Sequence, residues 1–147
     1  MSDISSIGLK VRIVGSLTFP VGFEVTQFAD DSDPFDLPDI QIADKAMGVN
    51  GDLVTWSTAV PIEVSIAVIP DSDDDRNLGI LAELNRVGRG KLPVKDSITM
   101  IRSFPDERPL ILTNGKIVSM PPASSSSSAG RKKSKVYKFV FENKVGI

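Results

Sequence analysis

The sequence predicts a mainly β protein with one flanking α-helix. Three observations predict it. Apolar and polar side chains alternate with period two along most of the chain, clusters of Gly, Pro, Asn and Asp separate those runs, and only Ser72 to Val87 has helical spacing. The chain has 147 residues, of which 41% are hydrophobic and 24% charged, so one domain spanning 1–147 with one core is expected.

Leu9, Val11 and Ile13 alternate with Lys10 and Arg12, which predicts a strand from Gly8 to Val14 with one wet face. Phe19-Pro20 reads as a break, after which Gly22 to Phe28 resumes as a strand antiparallel to the first. Asp30 to Pro38 reads as a loop, because Asp30, Asp31, Ser32, Asp33, Pro34 and Pro38 favour turns over ladders. Asn50-Gly51 then separates Ala43–Val49 from Leu53–Trp56, the signature of a tight hairpin, since both residues tolerate positive φ. The first arm contains Asp44, Lys45 and Gly48 and is weakly hydrophobic, so region 43–56 cannot hold itself up as an isolated ribbon. It must lean on another chain or fold back on the body. Ile62, Val64, Ile66 and Val68 alternate with Glu63, Ser65 and Ala67, which reads as a strand placed centrally in a sheet.

The helix over about 73–87 has a clear start. Ser72 followed by Asp75 has capping-box spacing, and Asp73, Asp74 and Asp75 occupy the first turn, where the helix dipole favours negative charge. Helical spacing gathers Ile80, Leu81, Leu84 and Val87 on one side, the expected packing face, and Asp75, Arg76, Gly79, Glu83 and Arg86 on another. Gly88 is the expected left-handed stop, with Gly90 and Pro93 beyond it.

Ser97 to Ser103 follows as a strand, and Pro109–Thr113 and Lys116–Met120 flank Asn114-Gly115 as a second hairpin. The last strand, Val136 to Glu142, sets Tyr137, Phe139 and Phe141 against Val136, Lys138 and Val140. Before it, 121–135 is a low-complexity Pro/Ser/Lys-rich stretch that is expected to be flexible when free.

Composition removes several chemistries. There is no Cys and no His, which excludes thiolate nucleophiles, Ser-His-Asp and Cys-His arrangements and His-based metal sites. No catalytic motif is present, and neither an enzyme nor a cofactor is expected. A formal charge of −2 gives no global attraction to nucleic acid or membranes. Nothing at Met1 to Ser6 reads as a signal peptide, and no run is apolar enough to span a bilayer, so no membrane insertion is expected.

Several stretches mimic functional motifs. Asp71 to Asp75 resembles the start of a calcium loop, but Arg76 stands where the turn glycine belongs and Ala82 where the bidentate glutamate belongs, so capping explains the acids. Gly88-Arg89-Gly90-Lys91 resembles the end of a phosphate loop, but it follows a helix and Leu92 replaces Ser/Thr. Arg131, Lys132, Lys133 and Lys135 could contact phosphates as a small nucleic-acid-binding β-domain would, though no aromatic residues interleave with them. The carboxylates at Asp30/Asp31 and Asp73 to Asp75 fall in a turn and a helix cap, poor places for acid-base work.

The order of elements resembles the phage tail tube proteins, especially of contractile tails, and the wider group that includes the type VI secretion tube protein. The strand Ile62–Ile69, the segment Asp73-Asp74-Asp75-Arg76-Asn77-Leu78 opening a short helix, the strand with Ile98, Met100 and Ile101, and the closing Val136–Glu142 carry that resemblance. It implies a tail-tube-like β-sandwich or half-barrel in which subunits associate as hexameric rings, stacked head to tail into a tube that conducts DNA during ejection. Implied partners are the chain itself and the tail sheath, baseplate and tape-measure proteins, with DNA in transient passage. The implied location is the tail of a virion assembled in the host bacterial cytoplasm. Related tail components are the nearby alternative: a tube initiator of the baseplate, a tail terminator or a secretion-system tube. By position, the extended region around 43–56 matches the loop with which such proteins reach a neighbouring ring. It makes Ala43, Asp44, Lys45, Met47, Val49, Leu53 and Trp56 the expected inter-subunit contacts. The Ser-rich insertion, Ala123 to Lys135, has no counterpart in the resemblance and is expected to point away from the lumen, where a cationic loop would hold the passing genome.

Overall fold

The structure, a computed structural model, describes residues 8–30, 32–105, 107–126, 128 and 130–146. The readings of Met1 to Ser6, of Asp31 and of Ser127 and Ala129 in the serine-rich stretch lie outside the described residues. The strands are β1 (Lys10–Gly15), β2 (Phe19–Val25), β3 (Phe35–Asp36), β4 (Ala43–Met47), β5 (Leu53–Ser57), β6 (Ile62–Val68), β7 (Ile98–Ser103), β8 (Leu110–Ser119) and β9 (Lys135–Val145), with α1 (Asp73–Leu84) between β6 and β7. Seven of them form one antiparallel sheet, in the order β2-β1-β7-β8-β9-β6-β3, and this sheet is a half-barrel. β4 and β5 pair only with each other.

One face of the sheet makes the core. Val11 and Ile13, Val25, Val64 and Ile66, Ile98 and Met100, Leu112, and Tyr137, Phe139 and Phe141 all point into it and are essentially fully buried. The alternation seen in sequence is therefore the in/out pleat. Each buried Phe stabilises the fold by about 1.5–3 kcal/mol, so β9 supplies the heaviest strand of the core. Register shifts at Ile13/Gly15, Ile98/Met100 and Ile117/Ser119 break the ladder in three places, and such bulges increase local bend and twist.

Four expectations about strands are corrected. Phe19-Pro20 does not interrupt β2 but begins it, because β2 is an edge strand and a proline there costs no ladder bond. The loop from Asp30 to Pro38 contains β3, whose Phe35 and Asp36 pair with Ile66 and Ser65. β6 is next to the edge and β8 occupies the centre, because the ten-residue β8 is long enough to pair with β7 on one side and β9 on the other. Asn114-Gly115 is no hairpin turn, since β8 runs straight through it. Asn114 takes φ 52° as a bulge opposite β7, and its side chain donates to Glu142 Oε2 (3.1 Å) and accepts from Ser97 Oγ (3.4 Å). Gly115 lies directly beneath the Phe141 ring, in space where a Cβ would collide.

The helix starts as expected and then departs from expectation. Ser72 is the N-cap, accepting from the Asp75 N–H at 3.2 Å. α1 ends at Leu84 with Asn85 as C-cap, so Gly88 is not the stop, and it is Gly90 that takes positive φ. The reason is Asn85. Its Nδ2 donates to Leu81 O (2.9 Å) and Asp96 Oδ2 (3.0 Å), and its Oδ1 accepts from Asp96 N (3.1 Å), which turns the chain away one turn early. The buried face is also different: Leu78, Leu81 and Ala82 face the core with Asp74 and Asp75, while Ile80, Leu84 and Val87 are exposed. The two acids set that rotation. Asp74 Oδ2 accepts from the backbone N–H of Thr26 and Gln27, both at 2.8 Å, and Asp75 Oδ1 accepts from Tyr137 Oη at 2.7 Å. Burial, and then the bond to Asp75, push the Tyr137 phenol pKa well above its usual value.

Candidate assembly surface

The β4–β5 ribbon has no partner within the sheet, and all five residues of each strand are exposed. Its root is fastened: Thr58 N donates to Ile42 O at 3.0 Å and Thr58 Oγ1 to Gln41 O at 3.3 Å, extending the ladder one step towards the body. At the tip the expected hairpin turns at Asn50-Gly51. Gly51 N donates to Gly48 O (2.9 Å), Gly48 N donates to Asp52 O (2.7 Å), and Gly51, not Asn50, takes the positive φ. That is a type I-like turn closed by a glycine bulge, which tolerates Asn50 in an ordinary conformation.

Every residue expected to make inter-subunit contact is on this ribbon. Met47 lies opposite Leu53, Lys45 opposite Thr55, Asp44 opposite Trp56 and Ala43 opposite Ser57, while Val49 forms the tip. Cross-strand partners share a face. One face therefore carries Ala43, Lys45, Met47 and Leu53, and the other carries Asp44, Val54 and Trp56 together with Asp52 just beyond the last pair. Met47 and Leu53 are 68% and 65% exposed and Val49 fully so, an unusual display of apolar surface on a ribbon that pairs with no strand of the main sheet. The face with Trp56 also exposes Asp52 and Val54, which the sequence reading did not single out. Their signal was available in the spacing Asp52, Val54, Trp56, which period two puts on one side.

Beside the ribbon root lies a cavity of about 250 Å³, lined by Leu37, Pro38, Ile40, Ile62, Leu110 and Leu112 and by two cations, Arg102 and Lys144. The Arg102 guanidinium carbon stands 5.6 Å from the Phe35 ring centre and 5.1 Å from that of Phe104. Its Nε is buried with no hydrogen-bond partner among the described residues.

The basic stretch 131–135 is engaged by the chain's own acids. Arg131 pairs with Asp30 at 3.2 Å, Lys132 with Asp71, and Lys135 with the buried Asp75 at 3.1 Å. Hydrogen bonding from Arg131 holds the Asp30 carboxyl below its usual pKa, and Lys132 does the same to Asp71. Lys133 N also donates to Ser125 O at 2.6 Å, and Ser126 pairs with Lys132, so within the described part of the 121–135 stretch the chain folds back on itself. In Gly88-Arg89-Gly90-Lys91 the lysine Nζ donates to the carbonyls of Glu83 and Arg86, closing the end of α1. The acids resembling a calcium loop are occupied as described above, Asp74 by backbone N–H groups and Asp75 by Tyr137 and Lys135. None of the described helices is long and apolar enough to cross a membrane.

The family described as tail fiber protein gp32 matches residues 2–145. No curated protein matches the chain. Among solved structures, a chain of the sheath/tube terminator of the PVC extracellular contractile injection system, in the extended state, superposes with a TM-score of 0.55 at 13% identity, covering 100% of this chain and 98% of that one. A chain of the 6-fold symmetrised baseplate of the anti-feeding prophage gives a TM-score of 0.53 at 8% identity, covering 100% and 97%. At such identities the likeness shows the fold. The expected tail-tube identity thus holds at the broader level of a tail component, and the chain belongs to the tail fiber protein gp32 family, a structural tail protein whose half-barrel is shared with chains of contractile injection systems.

Proposed function

We propose that this chain is a ring-forming subunit of a phage or injection-system tail that ends or joins the tube, as a terminator or baseplate ring does, and not the repeating subunit of the tube itself. The observation that carries the assembly reading is the β4–β5 ribbon, which extends from the half-barrel with Met47, Val49, Leu53 and Trp56 open to water. A ribbon of this kind is marginal alone and gains its stability by covering a neighbour. Likeness to a chain described as part of a sheath/tube terminator favours the capping form, and the six-fold symmetry stated for the baseplate neighbour favours six copies. Partners on this reading are other copies of the chain, the end of the tube and the sheath, with DNA passing through without chemistry.

Native mass spectrometry and negative-stain microscopy of the purified protein test the reading. A finite ring of six that does not lengthen with concentration supports it. Open-ended tubes would instead make the chain a tube repeat, and a monomer at high concentration would overturn assembly altogether. Binding of nucleic acid through 131–135 is the weaker reading, because Arg131, Lys132 and Lys135 are already paired with Asp30, Asp71 and Asp75.

A further inference from the structure

The cavity at the ribbon root and the ribbon itself are chemically complementary, and one cannot fill the other within a chain whose ribbon points outward. We propose that the ribbon face bearing Asp44, Asp52, Val54 and Trp56 of one copy docks into the cavity lined by Ile40, Ile62, Leu110, Arg102 and Lys144 of the next copy. The inference rests on the assembly reading and names its contact.

Three observations support it. The cavity is apolar but its only charged groups are two cations, Arg102 and Lys144, so its occupant should be apolar and carry carboxylates. Arg102 Nε is buried without a partner among the described residues, which costs free energy that the side chain would recover by shifting towards a carboxylate arriving at the cavity. On the ribbon, Asp44 lies across from Trp56, and Asp52 lies two residues from Val54 on the same side, so the carboxylates flank an apolar pair. The opposite face carries Lys45 and would be repelled. The ribbon is long enough to leave its own body, since strands rise about 3.3 Å per residue and the tip stands roughly 20 Å from the root. Plug and socket are then different surfaces of each copy. Such a contact is heterologous, and it closes into a ring when the rotation permits.

The absence of cysteine makes the test clean. Full-length Val54→Cys and Lys144→Cys proteins are mixed under assembling conditions and treated with a short bismaleimide. The expected product is a covalent dimer in the mixture that exceeds the dimer in either protein alone by at least about tenfold, with the same oligomer seen by native mass spectrometry. Charge exchange gives a second readout: Asp52→Lys and Lys144→Asp should each weaken assembly by about tenfold, and combining them should restore most of the loss. If rings form but the 54–144 crosslink is absent and the double exchange does not rescue, the docking is wrong while the assembly reading stands. If no oligomer forms at any concentration, both fall.

Discussion

Asp96 shows how much of this fold depends on single polar side chains. Its carboxylate accepts from Leu17 N (2.7 Å), Thr18 N (3.1 Å), Thr18 Oγ1 and Asn85 Nδ2 (3.0 Å), so one residue ties the β1–β2 turn to the end of α1. Burial opposes its ionisation, but the bonds from Thr18, Asn85 and Leu17 outweigh burial and hold its pKa below the ordinary 3.8. The stabilisation is therefore complete above the ordinary carboxylate range and lost as pH falls through the lower folded value. Asp96→Ala should cost about 2–4 kcal/mol in urea unfolding near neutral pH, with a shallower loss of stability in acid than the parent protein. Gly115→Ala should cost about 1–3 kcal/mol, because the added methyl meets the Phe141 ring and lies 3.0 Å from Ile98 O. A measured change under 0.5 kcal/mol at either position would contradict the geometry. Neither site was legible in the sequence. Asp96 acts on residues 78 and 79 positions away, and Asn-Gly signals a turn whether or not a neighbouring ring needs the space.

Elements were more legible than their contacts. The strands at β1, β6, β7 and β9 and the start of α1 follow from alternation and capping chemistry, both of which are local. Strand order and helix rotation are not local. The apolar count selected Ile80, Leu81, Leu84 and Val87 as the packing face, of which only Leu81 is buried, because hydrogen bonds from Thr26, Gln27 and Tyr137 to Asp74 and Asp75 rotate the helix so that Leu78 and Ala82 join Leu81 inward. Ser72→Ala should destabilise α1 by about 1 kcal/mol, read as a lower urea midpoint, since it removes the acceptor for Asp75 N. The ribbon should behave in the opposite way. Replacing 45–55 by a short Gly/Ser loop should leave the thermal midpoint of the half-barrel within about 2 °C of the parent's at dilutions where both are monomeric, because β4 and β5 make no ladder with the main sheet, yet at higher concentration it should abolish oligomers in native mass spectrometry.

At the scale of the whole molecule, the tail character was legible because it rests on element order, which the sequence carries. The distinction between repeat and cap was not, since it lies in surfaces presented to other copies. If copies assemble, the thermal midpoint of the intact protein should rise with protein concentration, and a midpoint constant across a hundredfold range would argue for a monomer. The ribbon also has a kinetic consequence. Since every residue of β4 and β5 touches water, its amides are guarded in a free subunit by the ribbon's own ladder alone, and they should take up deuterium within seconds, while β8 and β9 resist for far longer. Covering the ribbon would slow that uptake, so on the proposed assembly segment 43–57 would serve as a clock for incorporation, its amides falling silent as each subunit joins.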